Sequence, residues 1–417
     1  MNFDEKYIEI IRNFHAVKQP LEAIELYNLN SDFFKEYGGK FIFSTDKNIA
    51  GLPFTNLFSE YKDYCRSAFR TYNFIFYSQE IKKAYKTSNT VQIPIESSIS
   101  YDSNFAKFVE NYMKEKNSTK GKDYEAGEKI LWQLVMGNDI SHDYFPYILE
   151  NIYKENVPLE RVIDNVEVII KLFHIDKDSA SKIYKMKVRN EEKYISDCEE
   201  AKEFIKNASS NDEIKRDILG TYDIFYLILL KIIWINKTIR PDKQKAEALY
   251  EFMDKELAAL SQRELFIGLE YFSNNNLKFF KRIKGDNYGN IIEAVKNMSW
   301  DLILCRMFEK SYTVKISERS DFFLPFFLTF DKGLREILDA YRMKCLIFFE
   351  KKYPMQPIID LSDKNELIKY INETYYTYNS ILNRQTRSNM LIDDNFNSYI
   401  KTKIKQSENE IGNILPI

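Results

Sequence analysis

The chain has 417 residues, 44% hydrophobic and 29% charged, with 60 basic and 62 acidic side chains and a formal net charge of −2. That balance excludes a basic coat for non-specific nucleic-acid binding but not a local groove, and 12 Gly with 10 Pro argue against a loop-dominated chain. Cys65, Cys198, Cys305 and Cys345 form no CxxC pair, which argues against structural zinc or a disulfide framework and fits a reducing cytoplasm.

The length suits two or three domains, or one with a large insertion. The N-terminus, MNFDEKYIEIIRNF, lacks the basic and apolar regions of a signal peptide. Residues 1–90 read as a mixed, mainly helical extension. FDEKYIEIIRNFHAV and PLEAIELYNL have helical spacing, KFIFSTD reads as a short strand, and YCRSAFRTYNFIFYSQEIKKAYK reads as helical throughout.

Residues 91–156 open an α/β pattern. VQIPIESSISYDSN is β-rich and ends at Asp102, and FAKFVENYMKEK follows as a helix that Ser103 or Asn104 can cap. DYEAGEKILWQLVMGN is amphipathic. In DYFPYILENIYKEN, Pro146 fits the first turn of a helix, with Glu150 one turn further in. Residues 157–294 are helical almost throughout and read as an insertion. Their most apolar run, Ile224 to Ile235, is interrupted by Lys231 and is shorter than the ~20 residues a bilayer requires, so a buried core helix is expected and no membrane span.

Residues 295–356 resume the α/β pattern. NMSWDLILCRMFEKSY reads as a helix opened by Asp301, FFLPFFLTFDKGLREI as a strand ending at Asp331 with a helix behind it, and CLIFF as a last strand. Residues 357–417 read as a C-terminal helical extension.

Strand ends and the helix starts that follow them lie along one edge of an open sheet, so Asp102, Glu150, Asp301 and Asp331 can converge. Clustered carboxylates repel, and their pKa values rise unless a cation compensates. Hard oxygen ligands suit Mg²⁺ or Mn²⁺, which can activate water and stabilise charge on a phosphate. His15, His142 and His174 form no HxH or HExxH pattern, and neither a GxSxG elbow nor a P-loop is present.

The order and context of these acids resemble PIN-like nucleases. ISYDSN resembles their first strand and first acid, YFPYILENIY their Ser/Pro-led helix with its Glu, NMSWDLILCRMFE the helix of the third acid, and TFDKGL their Thr-x-Asp-Lys stretch. The resemblance covers about a third of the chain, near residues 93–155 and 295–350. It implies an α/β/α sandwich on a mainly parallel sheet, interrupted by the helical insertion, and Mg²⁺- or Mn²⁺-dependent endoribonucleolytic cleavage of single-stranded RNA. Asp102, Asp301, Asp331 and Glu150 would be the catalytic metal ligands, with Asn104, Thr329, Lys332 and Arg306 toward substrate. Glu125, Glu128 or Glu264 can take the seat of Glu150. RNA stands ahead of DNA as partner, a protein regulator can engage the insertion, and a cytoplasmic toxin or phage-defence role follows from family habits.

Plainer readings stand beside these. An Asp after a strand is commonly a turn residue or helix cap, and Glu150 can be a solvated helix position. Lys278 to Lys284, KFFKRIK, can line a nucleic-acid groove or be a solvated basic face over buried Phe279 and Phe280. The alternatives to an RNA nuclease are a helical interaction module with a decayed site, and a DNA nuclease.

Overall fold

The structure is a computed structural model that describes residues 5–46, 63–88, 90–115, 122–136, 141–154, 157–257, 261–273, 277–283, 287–312, 320–359, 365–375 and 395–415. Helices α1 (Glu5–Ala16), α2 (Pro20–Leu29) and α3 (Ser31–Tyr37) lead into strand β1 (Lys40–Ser44). Strands β2 (Cys65–Arg66) and β3 (Phe74–Tyr77) then precede α4 (Gln79–Thr87). The expected continuous helix over this stretch is therefore incorrect. Phe74–Tyr77 is aromatic and β-branched, and it pairs antiparallel with Phe41–Ser44. That cross-strand packing outweighs a local helical spacing. The helix starts only after Ser78, whose hydroxyl caps it by accepting from Ile81 N at 3.3 Å.

Strand β4 (Ile95–Tyr101), α5 (Ser103–Met113), α6 (Lys122–Met136), β5 (Ser141–Asp143) and α7 (Phe145–Tyr153) follow, with Pro146 in the first turn of α7. The all-helical stretch comprises α8 (Leu159–Phe173), α9 (Glu191–Ser210), α10 (Asp212–Thr238), α11 (Asp242–Glu251) and α12 (Gln262–Phe272). A short 3₁₀ helix (Lys278–Arg282) links it to α13 (Tyr288–Ser311). Strand β6 (Phe322–Leu328), α14 (Lys332–Ala340), β7 (Met343–Phe348), β8 (Gln356–Ile359), α15 (Glu366–Tyr375) and α16 (Phe396–Ile414) complete the order. Strand β8 lies where a helical tail was expected.

The architecture is α/β and helix-rich, with two sheets of four strands each, ordered β3-β1-β7-β8 and β2-β6-β4-β5. A single mainly parallel sheet was expected. Among the described strands, parallel pairing joins β5, β4 and β6, β2 runs antiparallel to β6, and the strands of the other sheet pair antiparallel. Every residue of β6 is buried, so the strand reads as a continuous apolar run. Pro325 is tolerated there because β2 reaches only Phe327 and Leu328. Its carbonyl instead accepts the Tyr312 hydroxyl at 3.1 Å, and that hydroxyl also takes Ala68 N at 3.2 Å.

Among the described residues α10 alone is long and apolar enough, by length and composition, to cross a membrane. It packs against α13 and α16, with Phe225 to Leu230 buried in a row. One apolar cluster runs from Ile10 to Leu415 and includes side chains of both terminal extensions, the helical stretch and both sheets.

Candidate functional site

Strands β4 and β6 pair in parallel with Tyr101 opposite Leu328, so Asp102 and the Thr329–Asp331 corner emerge side by side. Asp102 is 2% exposed and caps α5, accepting from Phe105 N at 2.7 Å. Asp331 caps α14, accepting from Leu334 N at 2.9 Å. Both acids are thus helix caps, and Asp102 takes the place expected of Ser103 or Asn104. The capping roles hold these two carboxylates at fixed positions beside the positive ends of two helices.

Glu150, on α7, is 5% exposed, accepts Ser103 Oγ at 2.6 Å and pairs with Lys154 at 3.3 Å. Asp301 does not open a helix as expected. It sits in the middle of the 24-residue α13, whose true start is capped by Asn287 through Asn290 N at 3.0 Å. That position still aims it at the strand ends. Glu150, Asp301 and Asp331 line one cleft of about 470 Å³ with Ser103, Asn104, Lys154, Arg282, Asn290, Glu293, Ala294 and Asn297. Asp102 does not line the cleft but immediately precedes Ser103 and Asn104 of its wall. Glu125, Glu128 and Glu264 do not line this cleft.

Burial pushes the Asp102 carboxyl up to about 7, against lowering by the Thr329 hydroxyl and the Phe105 amide. Burial likewise pushes Asp301 up to about 8, against lowering by Arg282, with Asp331 and Glu150 adding to the rise. These mutual effects show that the four acids share one electrostatic site. The positive charges within it are Lys154 at Glu150 and the Arg282 guanidinium. Arg282 donates Nη1 to Asp301 Oδ2 at 2.5 Å and Nη2 to Asp331 Oδ2.

Arg282 is carried by the 3₁₀ helix, whose Phe279 and Phe280 are buried. The Phe280 ring stacks on Tyr271 with centroids 4.0 Å apart. Gly333, at the start of α14, permits this close approach, because a Cβ there would lie 3.1 Å from Phe279 Cα. Of the basic run singled out in the sequence, the two Phe are core and one Arg reaches the acids.

Of the expected substrate residues, Asn104 lines the cleft and donates to Asp102 at 3.4 Å. The other three correct the sequence reading. Thr329 is wholly buried and positions the acids, donating to Asp102 Oδ2 at 2.5 Å and accepting Asp331 N at 2.9 Å. Lys332 is exposed on the first turn of α14, outside the cleft lining. Arg306, five residues past Asp301 on α13, turns away to Glu264 at 3.3 Å and Glu309 at 3.2 Å. The cleft residues that sequence reasoning missed are Lys154, Asn290, Glu293, Ala294 and Asn297, and Arg282 was singled out only as part of a basic run. Asn290, Asn297 and Asp301 fall on one face of α13, a spacing legible only once the helix is known to begin at Tyr288.

The donor set consists of carboxylate oxygens, two of them desolvated, and its chemistry fits a hard divalent cation such as Mg²⁺ or Mn²⁺. Among the described residues no group of three or more His, Cys, Asp or Glu is set to hold an ion. No family model matches the chain, and no curated protein or solved structure matches it.

Proposed function

We propose that this protein is a metal-dependent nuclease that cleaves single-stranded RNA, with a PIN-like arrangement of its α/β core. The observation that carries the reading is the convergence of Glu150, Asp301 and Asp331 on one cleft with Asp102 buried next to its Ser103–Asn104 wall, four acids spread over 230 residues, two of them pushed by burial up to about 7 and about 8. Few structural roles require that many acids in one place. Asp102, Asp301, Asp331 and Glu150 would hold Mg²⁺ or Mn²⁺. Bound there, the ion would supply an activated water and stabilise charge on the phosphate during in-line displacement.

The chain's own residues set the rest. Thr329 and the two helix caps fix the directions of Asp102 and Asp331. Ser103 and Lys154 orient Glu150. Asn104, Asn290 and Asn297 present amide donors and acceptors along the cleft, where a nucleic-acid strand would lie.

Incubation of the purified protein with single-stranded RNA and Mn²⁺ should yield internal cleavage that Asp331→Asn abolishes. Undiminished cleavage by Asp331→Asn would remove the reading. Single-stranded DNA run in parallel separates an RNA from a DNA nuclease. A toxin or defence role adds one further expectation: expression slows growth, and Asp331→Asn relieves it.

A further inference from the structure

Among the described residues Arg282 is the one cation that touches two of the four acids, and its geometry is that of a bridge. Its two terminal nitrogens reach separate carboxylates, Asp301 and Asp331, as a divalent cation shared by the same two oxygens would. Its main chain is anchored. Phe279 and Phe280 are buried, Lys278 N donates to Glu336 Oε2, and Gly333 lets the 3₁₀ helix lie close on α14. The guanidinium side chain is about 29% exposed toward the cleft. It can therefore leave by rotating about its own side-chain bonds, without unfolding the segment that carries it.

We infer that Arg282 is a built-in place-holder for the divalent cation, competing with it for the seat between Asp301 and Asp331 and holding the site together until the ion arrives. The inference rests on the metal-site reading above and adds its regulation. The guanidinium brings one positive charge to the two acids it bridges. A divalent ion would bring two, so the exchange favours the ion once its concentration suffices. The displaced guanidinium then stays within reach of the cleft as a free cation.

The test measures Mn²⁺ binding by titration calorimetry, and thermal unfolding with and without Mn²⁺, for the wild type, Arg282→Ala and Arg282→Lys. Arg282→Ala should bind Mn²⁺ about tenfold tighter, melt lower than the wild type without the ion, and regain the difference when it is added. Guanidinium ion at non-denaturing concentration should restore metal-free stability to Arg282→Ala and weaken its Mn²⁺ binding. Arg282→Lys, with one charge centre in place of a fork, should fall between. Mn²⁺ binding by Arg282→Ala that equals or falls below the wild type overturns the place-holder role and leaves the metal site standing. Absence of Mn²⁺ binding by all three folded proteins overturns both. Where Arg282→Ala fails to fold, Arg282→Lys carries the test: binding no tighter than the wild type overturns the role.

Discussion

Helix α13 carries two charged assemblies a few residues apart, and they are built on opposite principles. Toward its C-terminal end, Glu309 and Arg306 join Arg263 and Glu264 from α12 in a network of two acids and two guanidinium groups. Arg263 meets Glu309 at 2.5 Å, and Arg306 meets both acids. Arg263 and Glu264 are 2% and 1% exposed. The charges cancel inside the network, and it opens onto no described cleft. Near the middle of the helix, Asp301 belongs to a cluster of four acids served by Arg282 and Lys154 and open to a cleft. The two assemblies use the same residue types. The buried network balances its acids with guanidinium groups alone, whereas the cleft cluster sets four acids against two cations and leaves two of the acids to be held near neutral by burial, where a cation could replace their protons.

The sharpest way to break the comparison is to remove one acid from each assembly. Asp331→Asn keeps the helix cap, since Asn caps as well as Asp, and should leave a folded protein whose Mn²⁺-dependent cleavage rate falls by about 10²–10³-fold or more. Glu309→Gln should instead cost about 3–5 kcal/mol of stability, because it strands a buried Arg263 charge, with the specific activity of the folded fraction retained. Urea titration beside the cleavage assay separates the two outcomes. Comparable stability losses in both variants would erase the distinction.

Thr329→Val tests the link between the acids. It removes the hydroxyl that donates to Asp102 and accepts Asp331 N, so metal affinity should drop about 10- to 100-fold, the range for outer-shell partners of a ligand. Calorimetric titration with Mn²⁺ reads this directly.

The smallest effect is one of pH. Asp102 and Asp301 have folded values of about 7 and about 8, raised from an ordinary 3.8. The folded state therefore holds protons that the unfolded chain releases above that ordinary value. Their contribution to metal-free stability is fully present below it, falls progressively as pH rises above it, and is gone once pH passes 7 to 8. The melting temperature of the metal-free protein should fall from about pH 4 to about pH 8 and level off above, and Asp301→Asn should flatten the slope. A slope unchanged by Asp301→Asn would assign the pH dependence elsewhere.

How much of this was legible in the sequence depends on range. Strand β6 and its acidic tip were plain, because seven apolar residues and an Asp–Lys–Gly corner are local signals. Asp102 was plain for the same reason. Phe74–Tyr77 misled, since its partner Phe41–Ser44 lies more than 30 residues away and periodicity cannot report it. Asp301 was placed at a helix start because Asn297 to Trp300 interrupt the apolar pattern. The polar positions Asn297 and Asp301 are the cleft-facing side of a helix already under way, and Met298, Ser299 and Trp300 between them are buried. Arg306 and Arg282 exchanged roles for a related reason. Both stand near acids, and only the fold determines that one turns into the balanced network and the other into the cleft.

The pairing of β1 with β7 has a consequence for the order in which the molecule is made. Lys40 to Phe43 wait for Cys345 to Phe348 to complete their ladder, a separation of about 300 residues. During synthesis one edge of β1 must stay unpaired until Cys345 to Phe348 emerge, with only β3 beside it, exposing a strand of aromatic residues for that time. Closing so long a loop is slow, and unpaired edges in such intermediates are prone to aggregate. A chain that stops before residue 343 also lacks the strand that Phe41 and Phe43 pack beside. Products truncated before residue 343 should therefore accumulate as insoluble species.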